Sequence, residues 1–228
     1  MDKALQNVIK HDQFVETVGE ASEFVSGHKK QFVVYIVIAA VVAVLGYGGW
    51  SYMQGKKTAR QLALGEAMGV AQATTSRSAA DEKKVVDAFT KVSTEYAGSH
   101  EGNLALYMLA MIDLERGDTA AGEKKLKDVM GGDKEAASLA KYTQAEIYQG
   151  QGKTAEAEAL LRDLMASPTH LMPKEQAILQ LARYIAKTKP EEARKLLEPL
   201  RTARAPISTP AIEVLGTLPP AVGTPTKK

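Results

Sequence analysis

The chain has no cysteine among its 228 residues. That absence excludes disulfides, thiolate nucleophiles, Cys-ligated zinc and cysteine-held iron–sulfur clusters together. Histidine is scarce, with four residues, His11, His28, His100 and His170. None stands four residues from another, the spacing that puts two imidazoles on one helix face for a metal, so each reads as a solvated loop or tail residue. Charge of one sign is also lacking. The formal net charge is +2 and Lys, Arg, Asp and Glu are interspersed, so no basic block proposes nucleic acid or an anionic lipid patch. No Ser-His-Asp set or pair of catalytic carboxylates can be drawn from the spacing, and the reading is a protein without enzymatic activity, cofactor or metal.

What the chain does have is an apolar run over 32–53, FVVYIVIAAVVAVLGYGGWSYM, without a formal charge. As a helix its about 22 residues would reach roughly 33 Å, enough to cross a hydrocarbon core of about 30 Å. Lys29 and Lys30 precede it, Lys56, Lys57 and Arg60 follow it, and Trp50 and Tyr52 stand where amphipathic aromatics anchor a helix at the headgroups. A buried soluble helix would show a polar stripe. A cleaved signal peptide would carry a shorter apolar part and a small-residue exit in place of Trp50, Tyr52 and Met53. The run therefore predicts an uncleaved transmembrane signal anchor. Gly46, Gly48 and Gly49 lack the strand and the Lys-Ser/Thr pair of a phosphate loop. Ala39, Ala43 and Gly46 share one side of the helix instead, and read either as a small-residue face for packing against another membrane helix or as lipid-facing filler.

Four segments follow from this: an N-terminal tail at 1–31, the span at 32–53, a helical domain at 54–202 and a Pro-rich tail at 203–228. The first tail is either an amphipathic surface helix or loosely ordered chain, since its charges nearly cancel. In the last, Pro206, Pro210, Pro219, Pro220 and Pro225 leave room for one short helix at about 209–215, with disorder after it. Within the domain, 58–73 and 80–96 have helical apolar spacing with a polar break at 74–79. Residues 104–130 then match 139–165 at an offset of about 35, a period typical of stacked helical hairpins. A degraded third copy keeps Ala182, Ala193, Leu197 and Leu200. Gly117 and Gly152 are placed to end first helices in the left-handed conformation, Asp118 and Thr154 to cap second helices, Ala110 and Ala145 to let the pair approach, and Leu126 and Leu161 to fill the gap to the next unit. Ser138, between copies, suggests itself as a reporter site in a chain free of other thiols.

Ala145, Tyr148, Gly152, Ala157 and Leu161 resemble the small, aromatic, turn-glycine, alanine and large-apolar positions of the tetratricopeptide repeat, while the first copy departs with Asp113 and Gly122. The resemblance implies an all-α fold, a single transmembrane helix followed by a tetratricopeptide-like α-solenoid of helical hairpins. It also implies a partner-binding groove of first helices lined by Tyr107, Met111, Leu114, Tyr142, Glu146 and Gln149; on the residues alone, the two tyrosines could equally pack between neighbouring helices. The order of segments, with GYGGWSYMQGKKTAR and FTKVSTEYAGSHEGNLALYMLA, is similar to the ancillary SecYEG translocon subunit family of the bacterial inner membrane. That resemblance implies a cytoplasmic N-terminus, a periplasmic repeat domain and protein partners, namely translocon subunits and periplasmic chaperones or emerging chains. Charge counting close to the span, two cations before and three after, leans slightly to the opposite orientation. A different class of function, a structural scaffold of envelope or cell-division machinery with possible self-association, fits the same residues.

Overall fold

The computed structural model describes residues 29–73, 78–203 and 205–220, with the side chains of 29–40, 49, 51, 52 and 205 outside the description. Among the described residues the chain is all-α and contains no strand. It divides into two compact units, Met1–Thr58 and Ala59–Lys228.

In the first unit the described structure is the beginning of α1, Lys29–Ala73. Val41, Val42, Val44, Leu45, Tyr47, Trp50 and Met53 stand exposed on it, and the Tyr47 and Trp50 rings lie 6.0 Å apart at a 38° tilt. Among the described residues no helix is long and apolar enough to cross a membrane, so the expected transmembrane helix at 32–53 is not found there. The reason is extent: the apolar side chains of 32–40 fall outside the description, and the stretch from Val41 to Met53 is shorter than the roughly 20 apolar residues a crossing needs. The expectations for 1–28, for the chain beyond 220 and for Ala39 likewise lie outside the described residues.

The second unit is a succession of helical hairpins. The end of α1 pairs with α2, Ala79–Glu95, one residue displaced from the helix expected at 80–96. Next come α3, His100–Glu115, and α4, Thr119–Met130; then α5, Lys134–Gly150, and α6, Thr154–Ala166; then α7, Lys174–Ile185, and α8, Pro190–Leu197. A 3-10 turn, Glu198–Thr202, leads to α9, Ala205–Thr217. Gly117 and Gly152 end α3 and α5 with φ of 82° and 76°, a conformation that costs a side chain free energy and glycine little. Ala110, Ala145, Leu126 and Leu161 are fully buried, as are Ala182, Ala193 and Leu197 of the third copy, so each hairpin closes over its neighbour as the repeat predicts.

Two local expectations need correction. The Asp118 carboxylate caps α4 by accepting from the Ala121 N–H at 3.0 Å, but the cap of α6 is Lys153, without a side-chain bond, and Thr154 is the first helical residue. The last helix is longer than 209–215: Pro206 falls in its first turn, where a missing N–H costs nothing, and the helix continues through Pro210. Ala211 of α9 and Leu218 just beyond it are buried in the same core as α7 and α8, which offsets the lost backbone bond.

Candidate functional site

Successive first helices bring some of the expected groove residues together. Tyr107 of α3 is half-buried, and its hydroxyl lies 3.1 Å from Thr143 Oγ1 of α5. The same Thr143 hydroxyl points at Met111 Sδ at 4.0 Å. The packing reading of Tyr107 holds: the ring packs into the core around Ala110, Leu126 and Ala140, and the hydroxyl ties α3 to α5.

One turn beyond Thr143 on α5, Glu146 is exposed. Its carboxylate lies 3.4 Å from Gln180 Nε2 of α7, and that amide also donates to the Tyr184 hydroxyl at 3.0 Å. Tyr142 is close enough to Glu146 for the carboxylate charge to act on its hydroxyl. Partial loss of hydration beside these rings raises the Glu146 carboxyl above its usual range, offset to a degree by the Tyr142 hydroxyl. Desolvation raises Tyr142 and Tyr184 as well, with the Glu146 charge adding to it.

Leu114 does not join this face. Leu114 lies across Gly122 of α4, where a β-carbon would fall 2.6 Å from the leucine Cδ2 and Cγ and 3.2 Å from the Ala110 carbonyl oxygen. That close approach explains why glycine replaces alanine in the first repeat. Gln149 buries its Oε1 without a hydrogen-bond partner. Ala43 and Gly46 of the expected membrane-packing face are exposed, and a β-carbon at Gly46 would meet nothing within 4 Å.

Beside Met111 the face opens into a cleft of about 330 Å³ between α1, α2 and α3. Its walls are apolar and rich in methionine, including Met68, Met108, Met111, Val85, Phe89 and Ile112, with Glu115 as the one charged lining residue. The sequence does not single out Thr143, Gln180, Tyr184, Met68 or Met108. Tyr184 and Gln180 could have been found by their four-residue spacing on a helix, but the deletion in the third copy hides their register.

The second helices carry most of the ion pairs. Glu158 is held by Lys189 at 2.8 Å and Arg162 at 3.2 Å, Arg162 reaches Glu192 at 2.8 Å, and Lys141 reaches Asp163 at 2.5 Å. Asp113, in the repeat's aromatic place, pairs with Lys125, whereas Tyr148 in the equivalent place carries Lys153 over its ring at 5.3 Å. His100 is not simply solvated, since its Nδ1 lies 2.7 Å from the Asp133 carboxylate. Ser138 is 3 % exposed inside α5 and bonded to Thr169 at 2.8 Å, so it is no loop residue and a poor reporter site. Among the described residues no three His, Asp or Glu side chains stand where they could hold a metal ion.

A tetratricopeptide repeat-like domain matches residues 28–195. That match covers the apolar run and the hairpins and says nothing of a translocon. Comparison with curated proteins gives no match, and comparison with solved structures gives none either. Stacked hairpins with turn glycines at Gly117 and Gly152, small residues at Ala110 and Ala145 and a match over most of the length agree: the chain belongs to the tetratricopeptide repeat-like domain family.

Proposed function

We propose that this protein is a membrane-anchored interaction adaptor whose repeat domain lies in the periplasm and links the Sec translocon to periplasmic chaperones or emerging chains. Repeats of this family suggest protein partners. The observation that carries the reading is the meeting of first helices, where buried Thr143 of α5 joins Tyr107 and Met111 of α3 and Met111 lines an apolar cleft. Such a face suits a peptide or a partner helix, and stacked hairpins hold it rigid. Anchoring rests on the uncharged run at 32–53 and its flanking cations, and the choice of partner on the resemblance to the translocon subunits. The mechanism is tethering: holding two proteins near one another raises the rate at which they meet without a reaction.

A photo-reactive amino acid placed at Met111 in the full chain, in living bacteria, tests this. Adducts to a translocon subunit or a periplasmic chaperone are expected. Adducts confined to other copies of this chain would replace the adaptor with the scaffold.

A further inference from the structure

The chemistry of the partner can be read from the same face, an inference that rests on the adaptor reading. Met111 lines the methionine-rich cleft, and an acid follows at one turn on each of two neighbouring first helices. Glu115 is one turn further along α3 and lines the cleft. Glu146 follows Thr143 by one turn on α5, and Thr143 touches Met111. Among the described residues neither Glu115 nor Glu146 has a Lys or Arg within ion-pair distance, and the cleft has no cation in its lining. The acids on α6 and α8 differ, since Glu158 and Glu192 are already neutralised by Arg162 and Lys189.

We infer that this face takes a segment of a partner protein in which a large apolar side chain, seated among Met68, Met108 and Met111, is flanked by Lys or Arg that pair with Glu115 and Glu146. Methionine's flexible thioether accommodates apolar side chains of different shape. The acids therefore supply the selection, accepting cations and repelling acidic segments. An acidic or uncharged segment would seat its apolar residue and leave both carboxylates without a counterion.

The test is panning of a displayed library of random peptides on the full chain in detergent micelles, with Glu115→Gln/Glu146→Gln and Met111→Lys chains alongside. Each chain is first shown by circular dichroism to keep its helix content. Peptides recovered on the parent chain should combine large apolar residues with Lys or Arg, and the basic enrichment should fall about tenfold on the double glutamine variant while the apolar preference stays. Apolar peptides without basic enrichment, or basic enrichment equal on both chains, would overturn this inference and leave the adaptor reading standing. Recovery unaffected by Met111→Lys, or no recovery on any chain, would overturn both.

Discussion

Gly122 illustrates how a single residue is fixed by what lies across from it. Alanine there gains about 1 kcal/mol of helix propensity. Its β-carbon would, however, meet Leu114 at 2.6 Å and a backbone oxygen at 3.2 Å, and overpacking of this kind costs about 1–3 kcal/mol. The clash wins, so Gly122→Ala should lower stability by about 1 kcal/mol in urea denaturation. In a Leu114→Ala background the cost should shrink, because only the 3.2 Å approach to the backbone oxygen then opposes the propensity gain; an equal cost in both backgrounds would show that the leucine is not the obstacle. Asp133 gives a pH dependence at the same scale. Desolvation raises its carboxyl, but the bonds from His100 and the Ala136 N–H outweigh it, and the group sits below its ordinary value of 3.8. A carboxylate lowered on folding contributes stability that is complete above its unfolded pKa and is lost as pH falls through the folded one. Acid titration of the folded chain should therefore show a loss of stability below about pH 4 that Asp133→Asn reduces. An unchanged acid profile in Asp133→Asn would mean that the ionised Asp133 carboxylate does not stabilise the fold.

At the scale of the helix, the features legible in the sequence are those that depend on a residue's own backbone or size. Gly117 and Gly152 mark turns because only glycine takes positive φ cheaply, and Ala110, Ala145, Leu126 and Leu161 repeat because each unit buries the same positions. What is not legible depends on which helix faces which. The Thr143 link from Tyr107 to Met111, the turning of Leu114 into α4 and the meeting of Glu146 with Gln180 are set by packing between units, which a repeat register with a deletion does not specify. The α6 cap departs from expectation for a simpler reason: Lys153, not Thr154, stands at the repeat position of Asp118. Packing also sets the energetics. Leu161→Ala, at a site with no exposure, should cost about 2–5 kcal/mol, and because stability in stacked repeats passes between neighbours, amide exchange should quicken in α5–α8 more than in α2. Uniform quickening across every helix would contradict a stack of nearest-neighbour units.

At the scale of the whole molecule, an apolar run that the sequence alone reads as an anchor precedes a repeat domain that offers an apolar cleft with Glu115 in its lining. In the adaptor reading the run holds the protein at the membrane, and the face of α3 and α5 selects a partner. That reading depends most on the repeats standing outside the inner membrane, and the absence of cysteine makes their location directly measurable. Lys187 is exposed in the turn after α7, unlike buried Ser138. A full-length Lys187→Cys chain should be exposed to a membrane-impermeant maleimide in intact spheroplasts and, separately, after lysis. Equal labelling before and after lysis is the predicted result; labelling only after lysis would put the repeats in the cytoplasm and contradict the periplasmic adaptor.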